Sequence, residues 1–270
     1  MTSHMDPVLS RRCFLALPLL SVLCRGLAEA DASGRSTRAY EADMGVLFNL
    51  LTFTLKGTVV DEIDRPAGRY RVTVNGKGLG ITAGSESVGV IRDGRFMPTE
   101  TRGFHVVRGR ENRVTITYDY EHGLVEYHAL SYTLLLGRRR QVDDVLRLLP
   151  GQRVDDLISA ELNFAANTLE TEPDGAYRLT VVRRARPEDE GPDDVSSSGY
   201  HAELSTVRFR ALPDTATGGL TAAVDLTGFS SWARKTRPAR VAFGPDRHLE
   251  SVTTSLILGT TFTLRLSGGP

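Results

Sequence analysis

Val114-Thr115-Ile116-Thr117-Tyr118-Asp119-Tyr120 is the stretch that decides the fold. Its apolar residues fall at every second position, so Val114, Ile116, Tyr118 and Tyr120 share one face and Thr115, Thr117 and Asp119 the other. Side chains of an extended strand alternate between faces, and a strict period of two marks a strand with one buried and one wet side. His122-Gly123 supplies a turn directly afterwards. The same alternation recurs on both sides. Upstream, Tyr40, Ala42 and Met44 share a face, as do Phe53, Leu55 and Val59. Tyr70-Arg71-Val72-Thr73-Val74 alternates and runs into Asn75-Gly76, which reads as a hairpin turn, and Asp93-Gly94 reads as another. Downstream, residues 177–181, 220–226, 239–243, 248–258 and 262–266 read as strands. Many short strands at close spacing imply an antiparallel barrel or sandwich.

One segment departs from this period. In Val154-Asp155-Asp156-Leu157-Ile158-Ser159-Ala160-Glu161-Leu162-Asn163-Phe164-Ala165-Ala166-Asn167, the residues Leu157, Ile158, Leu162 and Ala165 recur at three- and four-residue steps. Pro150-Gly151 breaks the chain before it, and Asp155 and Asp156 lie where they favour the positive end of a helix dipole. The expected fold is all-β with one helix: a curved antiparallel sheet forming a half-open or closed barrel around an amphipathic helix. Residues 40–270 are expected to form one domain. Residues 185–199, acidic and proline-containing, read as a long exposed loop within it, and residues 31–39 as a mobile leader.

The first thirty residues read as an export signal. Arg11 and Arg12 precede an apolar run from Cys13 to Cys24, and Ala28 and Ala30 form a small-x-small cleavage site. About a dozen residues span roughly 18 Å as helix, too short for a bilayer core of about 30 Å. Ser10-Arg11-Arg12 followed by Phe14-Leu15 resembles the twin-arginine export pattern, with Ala16 where that pattern often has lysine. Periplasmic localisation follows as the expectation. Both cysteines, Cys13 and Cys24, lie inside this segment, so the mature chain is expected to carry neither disulfide nor thiol chemistry. The 33 basic and 33 acidic residues balance, which argues against nucleic acid as a partner. No later apolar run reaches membrane-spanning length, so no transmembrane anchor is expected after cleavage.

The remaining motifs each have a plain structural explanation. Gly76-Lys77-Gly78-Leu79-Gly80 lacks the strand-to-helix context and spacing of a phosphate loop. His4, His105, His122, His128, His201 and His248 show no metal-ligand spacing, and Asp143-Asp144, Asp155-Asp156 and the acidic loop around Glu188–Asp194 lack the alternating calcium pattern. No serine sits in a Gly-x-Ser-x-Gly elbow. Arg138-Arg139-Arg140 offers charge to anionic lipid headgroups, but reads first as a solvated strand end or turn. Neither a cofactor nor a catalytic constellation is expected. The aromatic residues matter more. In a closed sandwich they are core, but in a half-open barrel Phe53, Tyr118, Tyr120, Phe164 and Trp232 would line a cavity for an apolar ligand.

Three segments resemble a family of exported bacterial proteins known as domain of unknown function 3108. They are Ser87-Val88-Gly89 followed by Asp93-Gly94-Arg95-Phe96-Met97-Pro98, then Thr117-Tyr118-Asp119-Tyr120 with Gly123, and Val154-Asp155-Asp156-Leu157-Ile158-Ser159-Ala160. At Asp156 the family prefers proline. The resemblance implies a barrel-like sheet wrapped around a helix, similar in shape to periplasmic lipoprotein carriers, and brings no catalytic residues. The function expected from all this is non-enzymatic binding of an apolar or amphipathic ligand, such as a lipid, in a β half-barrel. The alternative is a cell-envelope scaffold or assembly factor that meets another protein.

Overall fold

The computed structural model describes residues 34–267 except 47–50, 79, 108, 134–135, 186–189, 191–192, 197–198, 215–216, 228–232, 234–235 and 257–259. The export-signal residues Arg11, Arg12, Ala28 and Ala30, and Trp232, lie outside the described residues.

Eight strands follow one another: β1 (Gly34–Val46), β2 (Leu51–Asp64), β3 (Arg69–Gly78), β4 (Ile81–Arg92), β5 (Arg95–Val107), β6 (Arg110–Asp119), β7 (Leu124–Tyr132) and β8 (Arg139–Arg147). The helix α1 (Leu157–Ala165) comes next, then β9 (Glu170–Thr171), β10 (Tyr177–Arg184) and β11 (Ala202–Phe209). The chain finishes with β12 (Ala211–Pro213), β13 (Leu220–Val224), β14 (Ala239–Phe243), β15 (Leu249–Ser255) and β16 (Thr261–Ser267).

Thirteen strands form one antiparallel sheet in the order β12-β13-β14-β15-β16-β1-β2-β3-β4-β5-β6-β7-β8. The sheet is not closed: β12 and β8 are its edges. The segment between them carries the helix and a three-stranded sheet, β11-β10-β9. Strand β11 touches both β8 and β13, near opposite ends of the large sheet. Two ends can meet one strand only if the sheet curls, so the helix and small sheet fill the space that the curl encloses. This is the half-open member of the expected pair.

Three apolar clusters hold the layers together. Tyr40, Val59, Tyr70, Val72 and Phe96 pack with Leu162 of the helix. Phe164 packs with Leu179, Phe209, Ala222 and Phe243, joining the helix, the small sheet and the C-terminal strands. Ile116, Tyr118, Val125, Tyr127 and Val142 pack with Val154, Val182 and Ala202. Each fully buried large apolar side chain contributes about 1.5–3 kcal/mol.

Several expectations need correction. Asn75-Gly76 is not a turn, because β3 continues through it. Tyr40, Gly57 and Gly76 lie in register across β1, β2 and β3, and the Tyr40 ring covers both glycines. A Cβ at Gly76 would sit 2.0 Å from the Tyr40 hydroxyl, so glycine is there for close approach and not for turning. The backbone instead turns near Gly80, with φ +76°. Of the expected leader, residues 31–33 lie outside the described residues, and residues 34–39 belong to β1, which begins at Gly34 and pairs with β2 from there. The period of two was hidden because an inward position, Arg38, is polar: its guanidinium is buried against Asp61.

The helix starts at Leu157 and not at Val154. Asp156 is its N-cap, accepting from the Ser159 backbone N–H, while the Ser159 hydroxyl accepts from the Asp156 N–H. Neither aspartate lies in the first turn. The buried residues are Ser159, Leu162, Asn163 and Phe164, whereas Leu157 is 73% exposed. The expected apolar face is therefore partly wrong, because polar Ser159 and Asn163 take inward positions and Leu157 faces outward. Asp93-Gly94 and Gly123 do turn the chain, with φ of 52°, 75° and 64°.

Candidate functional site

A buried polar network anchors the start of the helix. Asp155, 1% exposed, accepts from Arg95 Nη2 at 2.6 Å and from Asn163 Nδ2 at 2.8 Å. Asn163 also accepts from the Phe96 N–H and donates to the Phe96 carbonyl, each at 2.8 Å. Burial pushes the Asp155 carboxyl above its ordinary value, and Arg95 and Asn163 oppose that without cancelling it. Asp156 accepts from the hydroxyls of Ser87 at 2.6 Å and Thr101 at 2.5 Å as well as from the helix. The Ser87 proton is spent on Asp156, so Tyr70, 3.1 Å away, must donate to Ser87. Burial, and then the Asp156 charge, push the Tyr70 and Tyr118 phenols far up, so both stay protonated.

Beside this network opens a cleft of about 600 Å³ between β4–β7, the helix start and β10. Its apolar lining includes Phe104, Val114, Ile116, Ala129, Leu157, Ile158 and Val182. Thr101, Tyr118 and Asp156 supply buried polar groups, while Arg113, Arg140 and Arg184 add positive charge. Phe104 is 40% and Leu157 73% exposed, so two large apolar side chains that line the cleft face water. The Tyr118 hydroxyl, beside Thr101, makes no hydrogen bond of acceptable geometry among the described residues, although Tyr118 is only 4% exposed.

Within the acidic segment, Glu190 is withdrawn from water. Glu190 is 6% exposed, and Arg184 grips it with two bonds of 3.0 and 2.8 Å. Tyr200 donates to it at 3.1 Å, and Arg140 stands 3.5 Å away. Burial pushes the Glu190 carboxyl up, but Arg184, Arg140 and Tyr200 outweigh it and hold it below its ordinary value. Arg140, expected to be solvated, is thus buried; it also donates to the Asp194 carbonyl at 2.9 Å.

A second cleft, of about 650 Å³, lies where β1 and β2 meet the helix and the β14–β15 turn. Glu161 accepts from His248 Nδ1 at 3.1 Å and from the Leu249 N–H at 3.1 Å, with Arg38 at 3.8 Å. The hydrogen bond to Glu161 raises the His248 pKa above 6.5. Burial raises the Glu161 carboxyl, but His248 and the other donors leave it lowered.

Of the five aromatic residues expected to line one cavity, the four described ones are not brought together. Tyr118 lines the first cleft. Tyr120 stacks on Tyr118 at 6.3 Å between centroids, but it donates to the Val154 carbonyl and faces a different depression. Phe164 is core, 1% exposed and 4.3 Å from Phe243. Phe53 is 36% exposed towards the start of β2. Trp232 lies outside the described residues. Sequence reasoning did not single out Phe104 or Arg184, placed Leu157 on the apolar face of the helix and read Arg140 as solvated. The signal for Leu157 was its place directly after two aspartates, of which only one can cap the helix.

No family model matches the chain, and no curated protein matches it. Among solved structures it is similar to a crystal structure described as a beta-barrel-like protein of domain of unknown function DUF1849 from Brucella abortus. The identity is 13%, the match covers 88% of this chain and 97% of the other, and the TM-score is 0.39.

Proposed function

We propose that the protein is an exported, non-enzymatic binder of an apolar or amphipathic ligand, such as a lipid, held in the cleft beside the start of α1. The observation that carries this reading is the cleft itself: about 600 Å³, largely apolar, with exposed Leu157 and Phe104 among its lining residues and the Tyr118 hydroxyl in its wall. Ligand sites of this size combine an apolar lining with a few placed polar groups. Large apolar side chains left in water on a wall of such a cavity gain free energy when a ligand covers them. The export-like leader and the likeness to domain of unknown function 3108 support a role in the periplasm, and the leader's paired arginines support the twin-arginine route.

The filled curl sharpens where a ligand would go. The helix and small sheet occupy the middle of the half-barrel, so the ligand lies between them and β5–β7 instead of along a central lumen. Mass spectrometry of residues 31–270 purified under native conditions tests the reading. A co-purifying lipid, or saturable uptake of a fluorescent fatty acid, is expected. A ligand-free protein that takes up neither would overturn it.

A further inference from the structure

Resting on the cleft reading, we infer that Gly103 on β5 sizes the cleft for its ligand, and that the ligand is a single extended hydrocarbon chain seated across β4–β7 over that glycine. Glycine inside a strand weakens it, so its presence marks a bulge, a close approach of other protein atoms, or a place where a ligand comes near. Six glycines lie in β2–β5. The protein itself accounts for five of them. A Cβ at Gly57, Gly78 or Gly89 would run into the carbonyl oxygen of Asn75, Thr54 or Met97, and one at Gly76 or Gly84 would meet the Tyr40 phenol or the Phe104 ring. Gly103 is the exception. A Cβ there would meet nothing closer than a Val114 methyl at 3.2 Å, with the Gly84 carbonyl oxygen and the Ser85 hydroxyl at 4.0 Å. Its φ is not positive, and the pairing of β5 with β4 and β6 runs unbroken through it, the shift in the β4–β5 register lying at Val88 and Gly89. Neither a turn, a bulge nor a backbone contact explains this glycine.

The missing side chain would point into the cleft. Thr101, two residues earlier and so on the same face, bonds Asp156 at the helix start, as does its β4 partner Ser87. Gly103 pairs with Ser85 on one side and Val114 on the other, and Val114 pairs with Ala129 on β7. All four line the cleft, and together they cross three strand spacings, about 14 Å. Larger groups stand at the next inward level on either side: Ile116 and Tyr127 towards the helix start, His105 and Asn112 towards the β5–β6 turn. Ile158 and Val182 line the same cleft from the helix and β10. The space over Gly103 is thus one residue level wide, which seats one extended chain and excludes a fused-ring body.

The test is equilibrium binding of a straight-chain alcohol and a fused-ring alcohol of equal carbon number to the native protein, Gly103→Ala and Gly103→Val, with a urea midpoint for each. The native protein should bind the straight chain about tenfold more tightly than the rings. Gly103→Ala should weaken straight-chain binding about fourfold and Gly103→Val about tenfold or more, each added carbon displacing about one methylene of the ligand. The midpoints should stay level or rise, because a side chain at an unstrained strand position restricts the unfolded chain. Gly103→Ala carries the test should the bulkier variant fail to fold. A preference for the fused-ring alcohol, or unchanged straight-chain affinity in a variant with a native midpoint, would overturn the inference and leave the cleft reading standing. A lowered midpoint in Gly103→Ala would show that the backbone itself requires glycine there, and would overturn it equally. Failure of both alcohols to bind the native protein would overturn the cleft reading, and this inference with it.

Discussion

Asp156 ties the start of the helix to two strands of the large sheet. It caps the helix and accepts from Ser87 on β4 and Thr101 on β5. Asp156→Ala removes the cap and strands two buried hydroxyls, so a loss of about 2–4 kcal/mol is expected, read as a lower urea midpoint at unchanged slope. Asp156→Asn keeps an acceptor for the cap and should recover part of it. His248 gives a pH-dependent counterpart. Its folded pKa lies above 6.5, so its contribution through Glu161 is full below the unfolded value and is lost as pH rises through the folded one. Titration of His248 by NMR should return a value above 6.5, and Glu161→Gln should bring it down; an unchanged value in that variant would show that Glu161 is not the cause. At this scale the sequence was only half legible. Asp155-Asp156 stood out beside the helix, but their partners Arg95, Ser87 and Thr101 are 60, 69 and 55 residues away. Pairings of that range follow from the curl of the sheet and leave no local pattern.

The strands that were legible are those with one apolar face, such as β6, where Ile116 and Tyr118 are buried and Thr117 is exposed. The illegible ones carry polar groups inward. Arg38 on β1 and Ser87 on β4 occupy inward positions because each meets a buried carboxylate, Asp61 and Asp156 respectively. Local periodicity cannot show a charge that is satisfied by another element. The helix follows the same rule, since Ser159 and Asn163 point inward and Leu157 outward. Leu162→Ala should therefore cost about 2–5 kcal/mol, as a cavity in the cluster of Tyr40, Val59 and Phe96. Leu157→Ala should stay within about 0.5 kcal/mol of the parent protein. Paired thermal or urea melts decide this, and comparable losses for the two variants would refute the assigned face.

Across the whole molecule, class and curvature were readable, whereas the contents of the barrel were not. A strand-rich sequence with one helix admits either a lumen or a filled interior, and the order of strands along the chain does not distinguish them. The distinction lies in the segment from α1 to β11, which leaves the large sheet at β8, fills its concave side and rejoins it at β12. That filling moves the cavity off the barrel axis and brings Arg140 on β8 and Arg184 on β10 to one apolar cleft. It also explains why an isolated reading of aromatic residues scattered the expected lining: Phe164 became core once the small sheet covered it.

Leu157 separates uptake of an apolar chain by the cleft from the stability of the fold. It is mostly exposed, lines the cleft and occupies the first helical position, where a carboxylate is favoured by the helix dipole. The decisive measurement is an equilibrium titration of an uncharged fluorescent long-chain probe into the native protein and into Leu157→Asp, with both shown to unfold at the same midpoint. Saturable binding to the native protein, weakened about tenfold or more by Leu157→Asp, is the predicted result. No binding to the native protein, or equal affinity for the two, would contradict it.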